Sequence, residues 1–190
     1  MKVTKISATT AVIPLRNVTS FSTRTVSERH YTIVKILTDE GIEGIGFCYC
    51  GNAAGSIVTS AVRNLLAKHV IGQDPHNTEF IWDAMYKDAL LMGRRGAVVR
   101  AISAIDNALW DINAKHAKLP LYQYLGGFYQ DVVPAYASGG YYLDGKTPEH
   151  LAEECLSYVD MGFKAVKIKV GRVSAIEDAA RIEAVRNAIG

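Results

Sequence analysis

The chain has 190 residues, 49% hydrophobic and 21% charged, with 16 Gly and 5 Pro, a composition that supports a core and excludes disorder as the main state. Its 21 Lys+Arg nearly balance 19 Asp+Glu, for a formal charge of +2, and no four basic residues follow one another, so nothing argues for a nucleic-acid partner. Cys48, Cys50 and Cys155 form no C-x-x-C pair and are too few for a disulfide framework, which points to a reducing cytoplasm. No run approaches the roughly 18 apolar residues that span a bilayer, so no membrane partner is expected.

Lys2 and Lys5 precede a weakly apolar run, residues 6–15, that could mimic a signal peptide. Ser7, Thr9 and Thr10 interrupt it and no small-residue cleavage pattern comes before Arg16, so it reads as a strand. Residues 31–38 (YTIVKILT) are rich in β-branched side chains, Asp39-Glu40-Gly41 supplies a turn, and Ile45, Phe47 and Tyr49 share one face of a following strand. The first fifty residues therefore read as a β-meander. Gly41, Gly44 and Gly46 spell G-x-x-G-x-G inside a hairpin, with no strand-to-helix junction directly after them, and so do not form a dinucleotide fingerprint.

Helical spacing takes over after Gly55, where Ile57, Val58, Ala61, Val62, Leu65 and Leu66 form one stripe. Asp74 and Pro75 are placed to cap and open a second helix, continued by Phe80, Ile81, Ala84, Met85 and Leu91. A third helix, residues 97–115, buries Ile102, Ile105, Ala108, Leu109 and Ile112. Leu119-Pro120 and Gly126-Gly127 close an α+β unit over residues 1–128.

From residue 129 the order becomes β-α-β-α. A short apolar strand covers 132–137, and Thr147-Pro148 opens a helix carried by Leu151, Cys155, Tyr158 and Val159. Gly162 ends that helix, a second strand covers 165–170, and Ser174 to Glu177 is a capping box for a helix through Ile182, Val185 and Ile189. This is the grammar of a parallel sheet or a (β/α) barrel. Residues 129–190 number 62, two units at the ~31 residues each of an eight-unit barrel. Two parallel strands cannot close a barrel and leave an apolar edge open, so the chain is expected to be the front part of a longer protein.

The segment Lys164 to Gly171 (KAVKIKVG) carries the chemistry. Alternation puts Lys167 and Lys169 on one face of the strand and Val166, Ile168 and Val170 on the other. Lysines are seldom buried without a partner, and two ammonium groups at this spacing disfavour each other's charge, which yields an amine able to accept a proton near pH 7. An edge strand with its polar face in water is the alternative that strand physics leaves open. His30, His69, His76, His116 and His150 are scattered, and no Asp, Glu and His set shows metal-ligand spacing. Asp106 and Asp111, on the third helix, read as structural groups bonded to backbone or basic neighbours.

The run Ala101-Ile102-Ser103-Ala104-Ile105-Asp106-Asn107-Ala108-Leu109-Trp110-Asp111-Ile112, followed by Ala114-Lys115, Pro120-Leu121 and Leu125-Gly126-Gly127, resembles the signature helix and loop of the mandelate racemase/muconate lactonizing enzyme family of the enolase superfamily. The upstream Ile71-Gly72-Gln73-Asp74-Pro75 and the Asp39-Glu40-Gly41 hairpin resemble that family's capping domain, so the likeness covers nearly the whole chain. Tyr124 departs from the small aliphatic residue usual before Leu-Gly-Gly, at a packing position.

The resemblance implies an α+β capping domain (1–128) followed by the first βα units of a modified (β/α) TIM-type barrel (129–190), incomplete in this chain. It makes Lys167-Ile168-Lys169 the K-x-K motif of the second barrel strand, with Lys169 the base that takes the proton α to a carboxylate and Lys167 helping to neutralise that carboxylate. It also implies Mg2+ to stabilise the enediolate, with ligands beyond residue 190. Two capping-domain loops would shape specificity: about residues 15–31, with Arg16, Arg24, Arg29 and His30 against Glu28 alone, and residues 48–55. A basic, Ser/Thr-rich loop suits a polyhydroxylated carboxylate.

The implied enzyme is an acid-sugar dehydratase, cytoplasmic and homo-oligomeric, acting on a small-molecule carboxylate. Racemisation, epimerisation and cycloisomerisation share its enediolate step. A Schiff-base lyase, in which the lysine attacks a carbonyl, and a non-catalytic capping-domain fragment are the readings from other classes.

Overall fold

The computed structural model describes residues 1–127 and 132–190, and the expected division at 128/129 lies outside the described residues. The chain forms two compact units, Met1–Pro14 with Glu28–Tyr129, and Leu15–Ser27 with Gln130–Gly190. No helix among the described residues is long and apolar enough to cross a membrane.

In the first unit a three-stranded sheet runs in the order β1 (Val3–Phe21), β2 (Arg24–Thr38), β3 (Glu43–Tyr49), with β3 antiparallel to β2. The outer part of the β1–β2 hairpin belongs to the second unit. Residues 15–31, expected to be a loop, are thus mostly strand, turning at Ser22 and Thr23 with Ser22 at φ +48°. Thr32, Val34, Ile36 and Thr38 of β2 are buried, the alternation that the β-branched run predicts.

The helices are α1 (Gly55–Ala61), prolonged by a wider turn over Val62–Leu66, then α2 (Thr78–Asp88), α3 (Ala97–His116) and the single turn α4 (Leu121–Tyr124). Val58, Val62 and Leu66 are fully buried, whereas Ile57 faces solvent. The second helix starts later than Asp74-Pro75 suggested. Asp74 Oδ1 instead accepts the His76 backbone N–H at 3.0 Å, closing a turn that precedes the helix at Thr78. Its buried face is Thr78, Ile81 and Met85, while Phe80 and Leu91 are exposed.

The core centres on α3, whose Ala101, Ile102, Ala104, Ile105, Ala108, Leu109 and Ile112 are inaccessible. Ile45, Phe47 and Tyr49 of β3 point outward, and the intervening Gly44 and Gly46 turn to α3. Those glycines serve close packing. A Cβ at Gly46 would fall on the Ala104 carbonyl oxygen and 2.8 Å from the Ala108 nitrogen, backbone atoms that no rotamer change can move aside. Gly46→Ala should cost about 2–3 kcal/mol, since overpacking outweighs the few tenths to 1 kcal/mol gained from a stiffer unfolded chain. Trp82 and Trp110 both lie in this unit, so a urea titration followed by tryptophan fluorescence reads the loss directly. An unchanged midpoint would refute the close-approach explanation.

The second unit runs β4 (Ala137–Ser138), α5 (Pro148–Asp160), β5 (Val166–Lys167), α6 (Ala175–Ile189). β4 and β5 are parallel, with Ala137 opposite Val166 and Ser138 opposite Lys167. These are two successive βα units, the beginning of a barrel. Both strands are shorter than the apolar runs 132–137 and 165–170 suggested, and Val132 and Val133 are exposed. A two-stranded parallel ladder is a weak form of sheet, and pairing persists where the helices back it. Thr147 and Ser174 cap α5 and α6 as the sequence predicts, Ser174 with the expected capping box to Glu177 and Thr147 with one completed by His150. Leu151, Cys155 and Val185 form the buried centre, with Val166, Ile168 and Ile189 packed against it.

Candidate active site

β5 and the residues after it set the geometry. Val166 and Ile168 pack on the α5–α6 core, and Lys167 in β5 and Lys169 two residues beyond it alternate with them. Lys167 is exposed and Lys169 half-buried. Ser138 stands beside Lys167 in parallel register, and the Gly139 N–H donates to the Lys167 carbonyl at 3.0 Å. The Lys169 Nζ lies 5.4 Å from the centroid of the Tyr141 ring. A cavity of about 660 Å³ is lined by Val166, Ile168, Ile182, Val185 and Ile189 among others. Lys164 and Arg186 also line it, and it takes in neither Lys167 nor Lys169.

Three buried or half-buried charges, Arg181, Asp178 and Glu154, hold the segments that follow β4 and β5. The Arg181 guanidinium donates to the Lys169 carbonyl (3.0 Å), to the Gly140 carbonyl (3.1 Å) and to Asp178 Oδ1 (2.6 Å), and lies 3.9 Å from the centroid of the Tyr142 ring. Asp178 accepts from the Tyr142 hydroxyl at 2.5 Å and from the Gly171 N–H at 2.7 Å. Burial alone would push the Asp178 carboxyl up, but these donors and the guanidinium outweigh it and hold the carboxyl below its usual value.

From α5, Glu154 accepts from the Gly140 N–H (3.1 Å), the Tyr158 hydroxyl (2.7 Å) and Lys146. Burial would push its carboxyl up, but the bonds from Lys146, Tyr158 and Gly140 outweigh it and hold the carboxyl below its usual value. Gly140 is thus gripped at its N–H by α5 and at its carbonyl by α6. It adopts φ +68°, and a Cβ there would sit 2.6 Å from the Ile168 Cβ, so the turn needs glycine.

Of the basic residues expected to face substrate, Arg16 and Arg24 are exposed on the outer hairpin in the second unit. Arg29 and His30 lie on the part of β2 that belongs to the first. His30 Nε2 pairs with Glu28 at 2.8 Å, and its Nδ1 is buried without a hydrogen-bond partner. In the segment 48–55, the Cys48 and Cys50 sulfurs are 3.7 Å apart. Burial, and then the neighbouring Cys50 thiol, push the Cys48 thiol up to about 12, so Cys48 is not a thiolate near neutrality. Asp111 accepts from the Ile45 N–H (2.8 Å) and from Lys115 (2.7 Å), tying α3 to β3 in the structural role its position suggested.

Among the described residues no group of three His, Cys, Asp or Glu side chains is placed to hold a metal ion.

Residues 4–126 match the family described as Mandelate racemase / muconate lactonizing enzyme, N-terminal domain. The chain belongs to this family. It is 42% identical over 159 residues to arabinonate dehydratase of Saccharolobus solfataricus, covering 82% of this chain and 41% of the relative. Among solved structures it superposes on a racemase from Streptomyces coelicolor A3(2) with bound magnesium, with a TM-score of 0.92 at 33% identity, over 99% of this chain and 52% of the other. It also superposes on L-talarate/galactarate dehydratase from Salmonella typhimurium LT2 liganded with Mg and L-lyxarohydroxamate, with a TM-score of 0.90 at 30% identity, over 100% of this chain and 49% of the other. The chain thus spans about two fifths to half the length of these proteins.

The pairing of Lys167 with Lys169 is an expectation drawn from alternation and from the K-x-K resemblance. The residues that hold Lys169 were not part of it. Arg181 and Asp178 form an i, i+3 pair following the capping box, the one sequence signal that pointed to them. Tyr141 carried no signal at all, because its partners Lys169 and Phe21 are distant in sequence.

Proposed function

We propose that the whole enzyme removes the proton α to the carboxylate of an acid sugar and expels hydroxide from the β-carbon, a dehydration. Lys169 is the base, and its Nζ takes the α-proton. Lys167, on the same face, contributes positive charge toward the substrate carboxylate. Arg16, Arg24, Arg29 and His30 of the hairpin are the groups proposed to meet the hydroxylated tail. Carbon acids this weak need a divalent cation to stabilise the enediolate, and Mg2+ held by residues beyond 190 is the proposed one.

The observation that carries the reading is the placement of the lysines. Lys167 and Lys169 alternate with Val166 and Ile168, which pack on the helices, and the Lys169 carbonyl accepts from the guanidinium of Arg181. The relatives named for dehydration of arabinonate and of talarate or galactarate support the substrate class. Racemisation is the second reading, favoured by the magnesium-bound racemase.

Incubating the full-length enzyme and Mg2+ with a panel of aldonic and aldaric acids in D2O separates the two. Loss of water is the expected result. Exchange of the α-hydrogen without loss of water would replace dehydration by racemisation, and neither with any acid would overturn the proton-abstraction reading. Borohydride trapping of a substrate on Lys169 would move the enzyme to the Schiff-base class.

A further inference from the structure

We propose that Tyr141 is a positioning residue for Lys169, and that Phe21, at the end of β1, sets Tyr141 in place. The inference rests on the reading of Lys169 as the base. Among the described residues no carboxylate lies within ion-pair distance of Lys169, so nothing anionic orients its four-carbon stem. What lies against the head group is the face of the Tyr141 ring, 5.4 Å from Nζ, within the range of a cation–π contact.

A ring face suits a base in a way a carboxylate does not. A carboxylate would bind the ammonium strongly and favour the protonated form that cannot act as a base, whereas a ring face attracts the ammonium more weakly while still placing the nitrogen.

The ring is held in turn. Phe21 meets Tyr141 edge-on, with centroids 6.1 Å apart and planes at 70°. That meeting is fixed by main chain, because Ser20 and Tyr142 exchange both backbone hydrogen bonds, at 3.2 and 3.0 Å. Arg172 adds a bond from its guanidinium to the Ser22 carbonyl at 3.4 Å. The aromatic series Phe21–Tyr141–Lys169 therefore connects the tip of the β1–β2 hairpin to the base. Changes at the tip would reach the proton-transfer step as well as the binding of substrate.

The test compares Tyr141→Phe, which keeps the ring, with Tyr141→Leu, which keeps the bulk and loses the π face; Phe21→Leu probes the support. The first readout needs no turnover: acetylation of Lys169 by acetic anhydride, relative to Lys164 and Lys167 in the same chain, followed by peptide mass spectrometry. Tyr141→Leu should raise relative labelling of Lys169 several-fold, Tyr141→Phe should stay within twofold of the parent, and Phe21→Leu should fall between. A merely structural role would lower the melting temperature without changing that ratio. Unchanged labelling in Tyr141→Leu overturns the inference.

The second readout is kinetic, in the full-length enzyme. Tyr141→Leu should lose about tenfold in kcat with KM within threefold, and Tyr141→Phe should retain activity. Equal losses in both variants would assign the effect to the hydroxyl and overturn the ring-face account. If labelling shifts as expected while the parent enzyme turns over no acid, the positioning stands and the α-proton reading fails.

Discussion

Lys169→Met should abolish α-hydrogen exchange and dehydration together, by roughly a thousandfold, the middle of the range that a positioned general base supplies. The substitution is a clean one. What Arg181 holds is the Lys169 carbonyl, which methionine retains, and the methionine stem can lie against Tyr141 as the lysine stem does. The melting temperature should therefore stay close to that of the parent protein, as expected for a half-buried side chain with no buried partner. Lys167→Met should behave differently, raising KM along with a smaller loss of kcat, because Lys167 stands on the exposed part of the strand and is assigned to the carboxylate. Isotope exchange from D2O into substrate, read by mass spectrometry, measures the step without requiring elimination. Exchange that persists in Lys169→Met would remove the base from this strand.

Sequence and structure agree where local signals repeat. The α3 stripe from Ala101 to Ile112 states its own buried face several times over, and the capping boxes at Thr147 and Ser174 fix two helix starts by chemistry confined to four residues. They part where a single local signal had two outlets. Asp74 could cap a helix or close a turn, and the N–H of His76 decided for the turn. Phe80 and Leu91 extended an apolar pattern that no neighbouring element covers among the described residues. The segment 15–31 was expected to be a loop from the family resemblance, yet backbone pairing across the hairpin needs no apolar side chains and carries the strands to Phe21 and from Arg24. At the site, alternation pairs Lys167 with Lys169 in the sequence, although the regular strand ends at Lys167. Arg181 and Asp178 are joined to the lysine only by main-chain atoms, Lys169 O and Gly171 N, and a hydrogen bond to main chain leaves no trace in the side-chain pattern of its partner.

That same main-chain linkage makes Arg181→Met the substitution with the largest expected effect on the second unit. Arg181 and Asp178 have side chains only 10% exposed, and removing one partner of a buried pair costs about 3–5 kcal/mol. Asp178 keeps the Tyr142 hydroxyl and the Gly171 N–H, and methionine keeps some of the packing on Tyr142, so the lower end, about 3 kcal/mol, is expected. Both tryptophans lie in the first unit, so their fluorescence is a poor reporter here. Amide hydrogen exchange is the better probe, with faster exchange at Gly171 and along α6. In the parent protein the Asp178 carboxyl is held below its ordinary value. Its contribution is therefore present in full above the unfolded value near ~3.9 and is lost as pH falls through the lower folded one. Removing the guanidinium should shrink that acid-dependent stability, and the double variant Arg181→Met, Asp178→Asn should cost less than the sum of the singles because the two residues share one network. Strict additivity would mean that the pair does not act as a unit. A full-strength Lys169 in a protein without Arg181 would mean that the two strand ends, and with them the base, are positioned by something other than the clasp at their carbonyls.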